Sequence, residues 1–136
     1  MNEKLYSNER YPEFVQMIYD YVIHKLFKYP DYKFRIIKRK KEVNPNHMVL
    51  GYINFQKQII ALDIYTPKKR QAKSINSLLR TIAHEIAHIQ KPPYRQRYRG
   101  RYITRQHYPV FYKQCDKNIE KIKKDPYLKQ YFRQTE

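Results

Sequence analysis

His84-Glu85-Ile86-Ala87-His88 sets two histidines four residues apart with a glutamate beside the first, the HExxH pattern of zinc hydrolases. On a helix that spacing projects both imidazoles from one side, where they can reach a single metal ion. Zinc in hydrolytic enzymes takes three protein ligands and keeps a fourth position for water, whose pKa it lowers toward neutrality. Glu85 is then the candidate catalytic residue, taking a proton from that water and passing it to the leaving amine. A purely structural zinc site has no use for such a carboxylate, so its presence argues for chemistry.

The third ligand must come from elsewhere. His107 is the only histidine downstream of the motif and is the candidate, with Glu120 on the following predicted helix as the acidic alternative. His24 and His47 precede the motif and read as surface or core residues. Tyr98, Tyr102 or Tyr108 can hydrogen-bond the oxyanion of a tetrahedral intermediate, and the sequence leaves that choice open. Cys115, the single cysteine, excludes an intramolecular disulfide and a four-thiolate zinc site, and reads as a small core residue in a reducing compartment.

These groups need a scaffold. Ile75, Leu78, Leu79, Ile82, Ala83, Ile86 and Ala87 follow the helical rhythm, with Ser74 as a cap and Pro92-Pro93 as a stop near Gln90. The apolar face can pack on a sheet, and the wheel sets both histidines opposite its centre, facing outward into whatever cleft the rest of the chain forms. Apolar spacing from Tyr11 to Lys28 predicts a first helix, and Tyr32 to Arg39 a strand. Met48 to Phe55 and Gln58 to Tyr65 predict an antiparallel hairpin, and Gln106 to Lys123 a further helix. Tyr94 to Gln106 shows neither period and reads as a basic loop. The expected fold is α+β, a short antiparallel three-stranded sheet packed on the HExxH helix with flanking N- and C-terminal helices. It forms one domain, 1–136, with an Arg/Tyr-rich insert at about 91–106.

The chain has 136 residues, 30% of them charged, a formal net charge of +17 and a pI near 9.9. That balance points to an anionic partner, nucleic acid first. Tyr94, Arg95, Arg97, Tyr98, Arg99, Arg101, Tyr102 and Arg105 suit it, because guanidinium groups meet phosphates while rings stack on unpaired bases. Lys38 to Lys41 and Lys68 to Arg70 are weaker basic patches. Two glycines exclude a P-loop or a dinucleotide fingerprint. The polar segment Met1 to Arg10 and the lack of a long apolar run predict a soluble, intracellular protein of the cytoplasm or nucleus.

With Thr81-Ile82-Ala83-His84-Glu85-Ile86-Ala87-His88 and His107-Tyr108-Pro109-Val110-Phe111-Tyr112, the chain resembles the small zinc peptidases of the WLM and SprT-like families over roughly Met48 to Asp116. The resemblance implies a compact fold with a short sheet over the active-site helix, and zinc held by His84, His88 and His107. It also implies proteolysis, in several relatives directed at proteins crosslinked to DNA. The usual glycine-containing spacing between the second and third histidines is not kept. The leading expectation is a zinc metalloendopeptidase acting on proteins bound or crosslinked to DNA or RNA. The alternative is a basic nucleic-acid-binding or virion packaging protein that retains the fold with little activity.

Overall fold

The computed structural model describes residues 10–37, 51–66 and 71–133. The architecture is α+β, and the chain divides into two compact units, Met1–Leu78 and Leu79–Glu136.

In the first unit, α1 (Arg10–Asp20) runs on into a π-helical segment, Tyr21–Leu26, so the single predicted helix changes winding midway. Its apolar spacing is expressed as burial: Tyr11, Val15, Ile18, Tyr19, Val22 and Ile23 are sequestered from solvent. Two of these rings carry hydroxyls, which a buried position obliges to find partners. Tyr11 Oη lies 3.0 and 2.8 Å from the carbonyl oxygens of Ile64 and Lys73, and Tyr19 Oη donates to Leu78 O at 2.6 Å. The helix is thereby tied to the chain that leads into the HExxH helix.

Three strands follow, β1 (Lys33–Ile36), β2 (Gly51–Asn54) and β3 (Ile59–Leu62), in the order β1-β3-β2. The β2–β3 hairpin is antiparallel as expected, with Gly51 opposite Leu62 and Asn54 opposite Ile59. The expectation of an all-antiparallel sheet is corrected by β1, which pairs with β3 in parallel, Lys33 opposite Ile59. Period-two patterning marks a strand but carries no information on partner or direction, and the long β1–β3 connection permits a crossover. β3 is central, paired along both edges, and Ile60, Ala61 and Leu62 are fully buried.

Ser74 Oγ accepts the Ser77 amide at 3.1 Å and starts α2 (Ile75–Gln90) as a side-chain cap should. The first turn of α2 belongs to the first unit and the remainder, with the HExxH motif, to the second. Leu78, Leu79, Ile82, Ala83, Ile86 and Ala87 are all at most 1% exposed, so the predicted apolar face is a buried face.

In the second unit the insert expected to be a loop is a hairpin, β4 (Tyr94–Tyr98) with β5 (Arg101–Arg105). Its two-residue turn has positive φ at both positions, Arg99 at 51° and Gly100 at 81°, the type I′ geometry that matches strand twist. Nearly every residue of both strands is exposed, so no apolar alternation was there to be read. Next come α3 (Pro109–Lys124), begun by proline in its first turn, and a short α4 (Gln130–Arg133). Among the described residues no helix is long and apolar enough to cross a membrane.

Candidate metal centre

α2 delivers His84 and His88 with ring centroids 4.9 Å apart. His107 enters from the short segment between β5 and α3, its ring 5.2 Å from His84 and 5.0 Å from His88. One candidate ligand atom from each of the three lies within 4.8 Å of the others. Nitrogen ligands on a tetrahedral zinc at about 2.0–2.1 Å stand about 3.4 Å apart, so the three rings fit one ion after closing by little more than an ångström. The triad is the predicted one. Glu120, the acidic alternative, is exposed and lies 3.7 Å from Lys123 Nζ, outside the cluster.

Phe111 is the floor of the cluster. One turn into α3, it stacks on His88 at 4.4 Å and meets His84 and His107 edge-on at 5.0 and 5.2 Å. With Ala87 and Cys115 it forms a buried apolar group against which Tyr108 packs. The cleft into which the helical wheel turns the histidines is closed on one side by α3: His88, stacked on Phe111, is only 7% exposed. His107 remains exposed, giving the site one open side.

Burial also sets the protonation states. His88 is pushed down to about 4 by desolvation first and by the charges of His84 and His107 after it. His84 is lowered for the same primary reason, with His107 second. Both are therefore neutral near pH 7, with a lone pair available to a metal. Glu85, 8% exposed, is raised to about 7 by burial. Cys115 Sγ is 4.0 Å from His84 Nδ1, and burial, with Asp116 second, lifts its thiol to about 11. At neutral pH it is a protonated packing group rather than a nucleophile.

Asn118 escaped the sequence reading. It is 1% exposed, and its Nδ2 donates to Ala83 O at 3.0 Å and to Gln90 Oε1 at 2.7 Å. Its own Oδ1 accepts Gln114 Nε2 at 3.0 Å. It thus clamps α3, whose floor residue is Phe111, to the helix carrying the other two histidines. Its position in the run Phe111, Cys115, Asn118, Ile122 was the available signal.

The other candidates are dispersed. His24 Nε2 sits 2.6 Å from Tyr32 O in the first unit, and His47, Lys38 to Lys41 and Lys68 to Arg70 lie outside the described residues. Tyr108 Oη donates to Pro92 O at 3.0 Å, while Tyr98 and Tyr102 are exposed on the hairpin. Arg95, Arg97, Arg99, Arg101 and Arg105 all lie on or between β4 and β5. A groove of about 860 Å³ in the first unit is lined in part by Pro12, Gln16, Phe34, Arg35 and Tyr52, with no histidine or cysteine among its described residues. No protein-family model, curated protein or solved structure matches the chain.

Proposed function

We propose that the chain is a zinc-dependent metallopeptidase of the WLM/SprT-like kind that acts on proteins bound or crosslinked to nucleic acid. The observation that carries this reading is the convergence of His84, His88 and His107 on one point with Glu85 in the same helix turn. Those three imidazoles would hold the ion over Phe111, with His84 and His88 kept neutral by burial. Zinc, when bound, supplies Lewis acidity that polarises the scissile carbonyl and acidifies water. Glu85 accepts the proton of the attacking water at its carboxylate and delivers it to the departing amine. Burial holds this carboxyl near 7, close to the working pH, and a neighbouring cation favours its charged, proton-accepting form. The +17 charge and the exposed Arg/Tyr hairpin support a polyanionic partner.

Cleavage of a basic DNA-binding protein, with and without single-stranded DNA, tests the reading when wild type is compared with Glu85→Gln. The amide fills the same space but accepts no proton, so the expected result is loss of cleavage with zinc and fold retained. Equal activity in both would remove Glu85 as the base. The high basic charge serves equally a second reading, a binding or packaging protein with a retained metal site. Zinc and nucleic-acid binding without cleavage in either form would select it.

A further inference from the structure

The hairpin register sorts its side chains onto two faces. Strand alternation and the pairs Tyr94–Arg105, Gln96–Ile103 and Tyr98–Arg101 form one face, and Arg95–Thr104 and Arg97–Tyr102 form the other. Observed contacts agree with this sorting: Arg105 Nε donates to Gln96 Oε1 at 2.9 Å on the first face, and the Arg95 guanidinium lies 4.9 Å from the Tyr102 ring centre on the second.

The first face is engaged with the rest of its unit. Near the base of the hairpin Tyr94 packs edge-on against Tyr108 at 5.0 Å and Ile103 is half-buried, while Tyr98 at the turn end is 46% exposed. On the second face Tyr102 is 62% exposed even with a guanidinium against it, the highest exposure among the large apolar and aromatic side chains described as exposed. Arg95 and Arg97 are separated by two strand residues, about 6.7 Å, a stride suited to successive phosphates of an extended strand. At the turn the Arg99 guanidinium lies 5.2 Å from the Tyr98 ring centre, and no acidic residue occurs anywhere from Ile86 to Cys115.

We propose that this second face docks single-stranded nucleic acid, with Tyr102 stacking on an unpaired base and Arg95 and Arg97 meeting the flanking phosphates. It rests on the partner named under the proposed function and specifies which surface and which form of nucleic acid serve it. A ring presented face-on needs a base outside a duplex, since paired bases offer only their edges. Arg95 behind the ring adds a cation–π contact to the stack.

Charge-matched pairs test the assignment in the full chain. Arg95→Gln/Arg97→Gln and Arg101→Gln/Arg105→Gln remove the same charge from opposite faces. With a labelled oligothymidine strand, the first pair is expected to weaken binding about tenfold and to flatten the log–log salt slope by about 1.4, from two lost phosphates. The second pair should change affinity by no more than about threefold, through the general field alone. Tyr102→Ala should lower affinity about tenfold with the salt slope unchanged, and Tyr102→Phe should restore it. Zinc content, measured on every variant, reports that the unit is folded. Equal losses from the two arginine pairs would overturn the face assignment while leaving nucleic acid as the partner. Wild type that ignores the strand, or releases it to an acidic peptide at equal charge concentration, would overturn both.

Discussion

The three-histidine cluster and the hairpin that leads into His107 belong to one compact unit and are built in opposite ways. The cluster is a buried meeting of two helices: His88, Glu85 and Asn118 are each less than a tenth exposed, Phe111 touches all three imidazoles, and desolvation keeps His84 and His88 neutral. The hairpin keeps its charge by remaining outside, with five arginines in water and a backbone shaped by one glycine-containing turn. Packing fixes position in the first and exposes charge in the second. Substitutions in one should therefore leave the signature property of the other unchanged.

The largest expected effect is at the floor of the cluster. Phe111→Ala should lower stability by about 3–5 kcal/mol, the range for truncating a buried aromatic, with a matching loss of zinc affinity as the three rings lose their common support. Denaturant unfolding with and without metal measures both. Asn118→Ala strands the Gln90 amide oxygen and the Gln114 amide and unclamps the two helices, and about 1–3 kcal/mol is expected by the same assay.

A pH profile sharpens the electrostatic half of the comparison. In metal-free protein the raised carboxyl of Glu85 contributes stability that is full below about 4.5 and is lost as pH rises through about 7. Glu85→Gln lacks that decline, so its stability relative to wild type should climb from about pH 4.5 to 7 and then level off. His88, lowered to about 4, contributes stability that is lost as pH falls from 6.5 through 4, equally in both proteins, and drops out of the difference. A difference that stays flat across the range would mean that Glu85 is not desolvated.

The smallest effect belongs to the hairpin. Gly100→Ala places a side chain at φ 81°, which strains the turn by about 1 kcal/mol but meets no atom. Single-strand affinity should fall severalfold while zinc content stays constant, as titration and metal analysis would report.

The same contrast decides what could be read from the sequence. The HExxH helix was legible because i, i+4 spacing is set by the chain itself, and its cap and apolar face left local signals at Ser74 and Ile75 to Ala87. His107 was legible only as the remaining histidine. The floor formed by Phe111 and the clamp formed by Asn118 were not, since contacts between helices depend on packing that periodicity does not encode. A fully exposed hairpin offers no alternation, so Tyr94 to Gln106 passed for a loop, and Gly100 was its sole trace. The parallel direction of β1 left no mark, because alternation is identical for either partner direction.

Metal analysis of purified wild type beside His107→Ala bears most directly on the three-histidine centre, with Glu120→Ala as the control for the excluded alternative. The expected result is about one zinc per chain in wild type and in Glu120→Ala, and loss of stoichiometric zinc in His107→Ala while the protein remains folded. Full zinc occupancy in folded His107→Ala would contradict the assignment of His107, and absence of zinc from wild type after metal loading would contradict the centre itself.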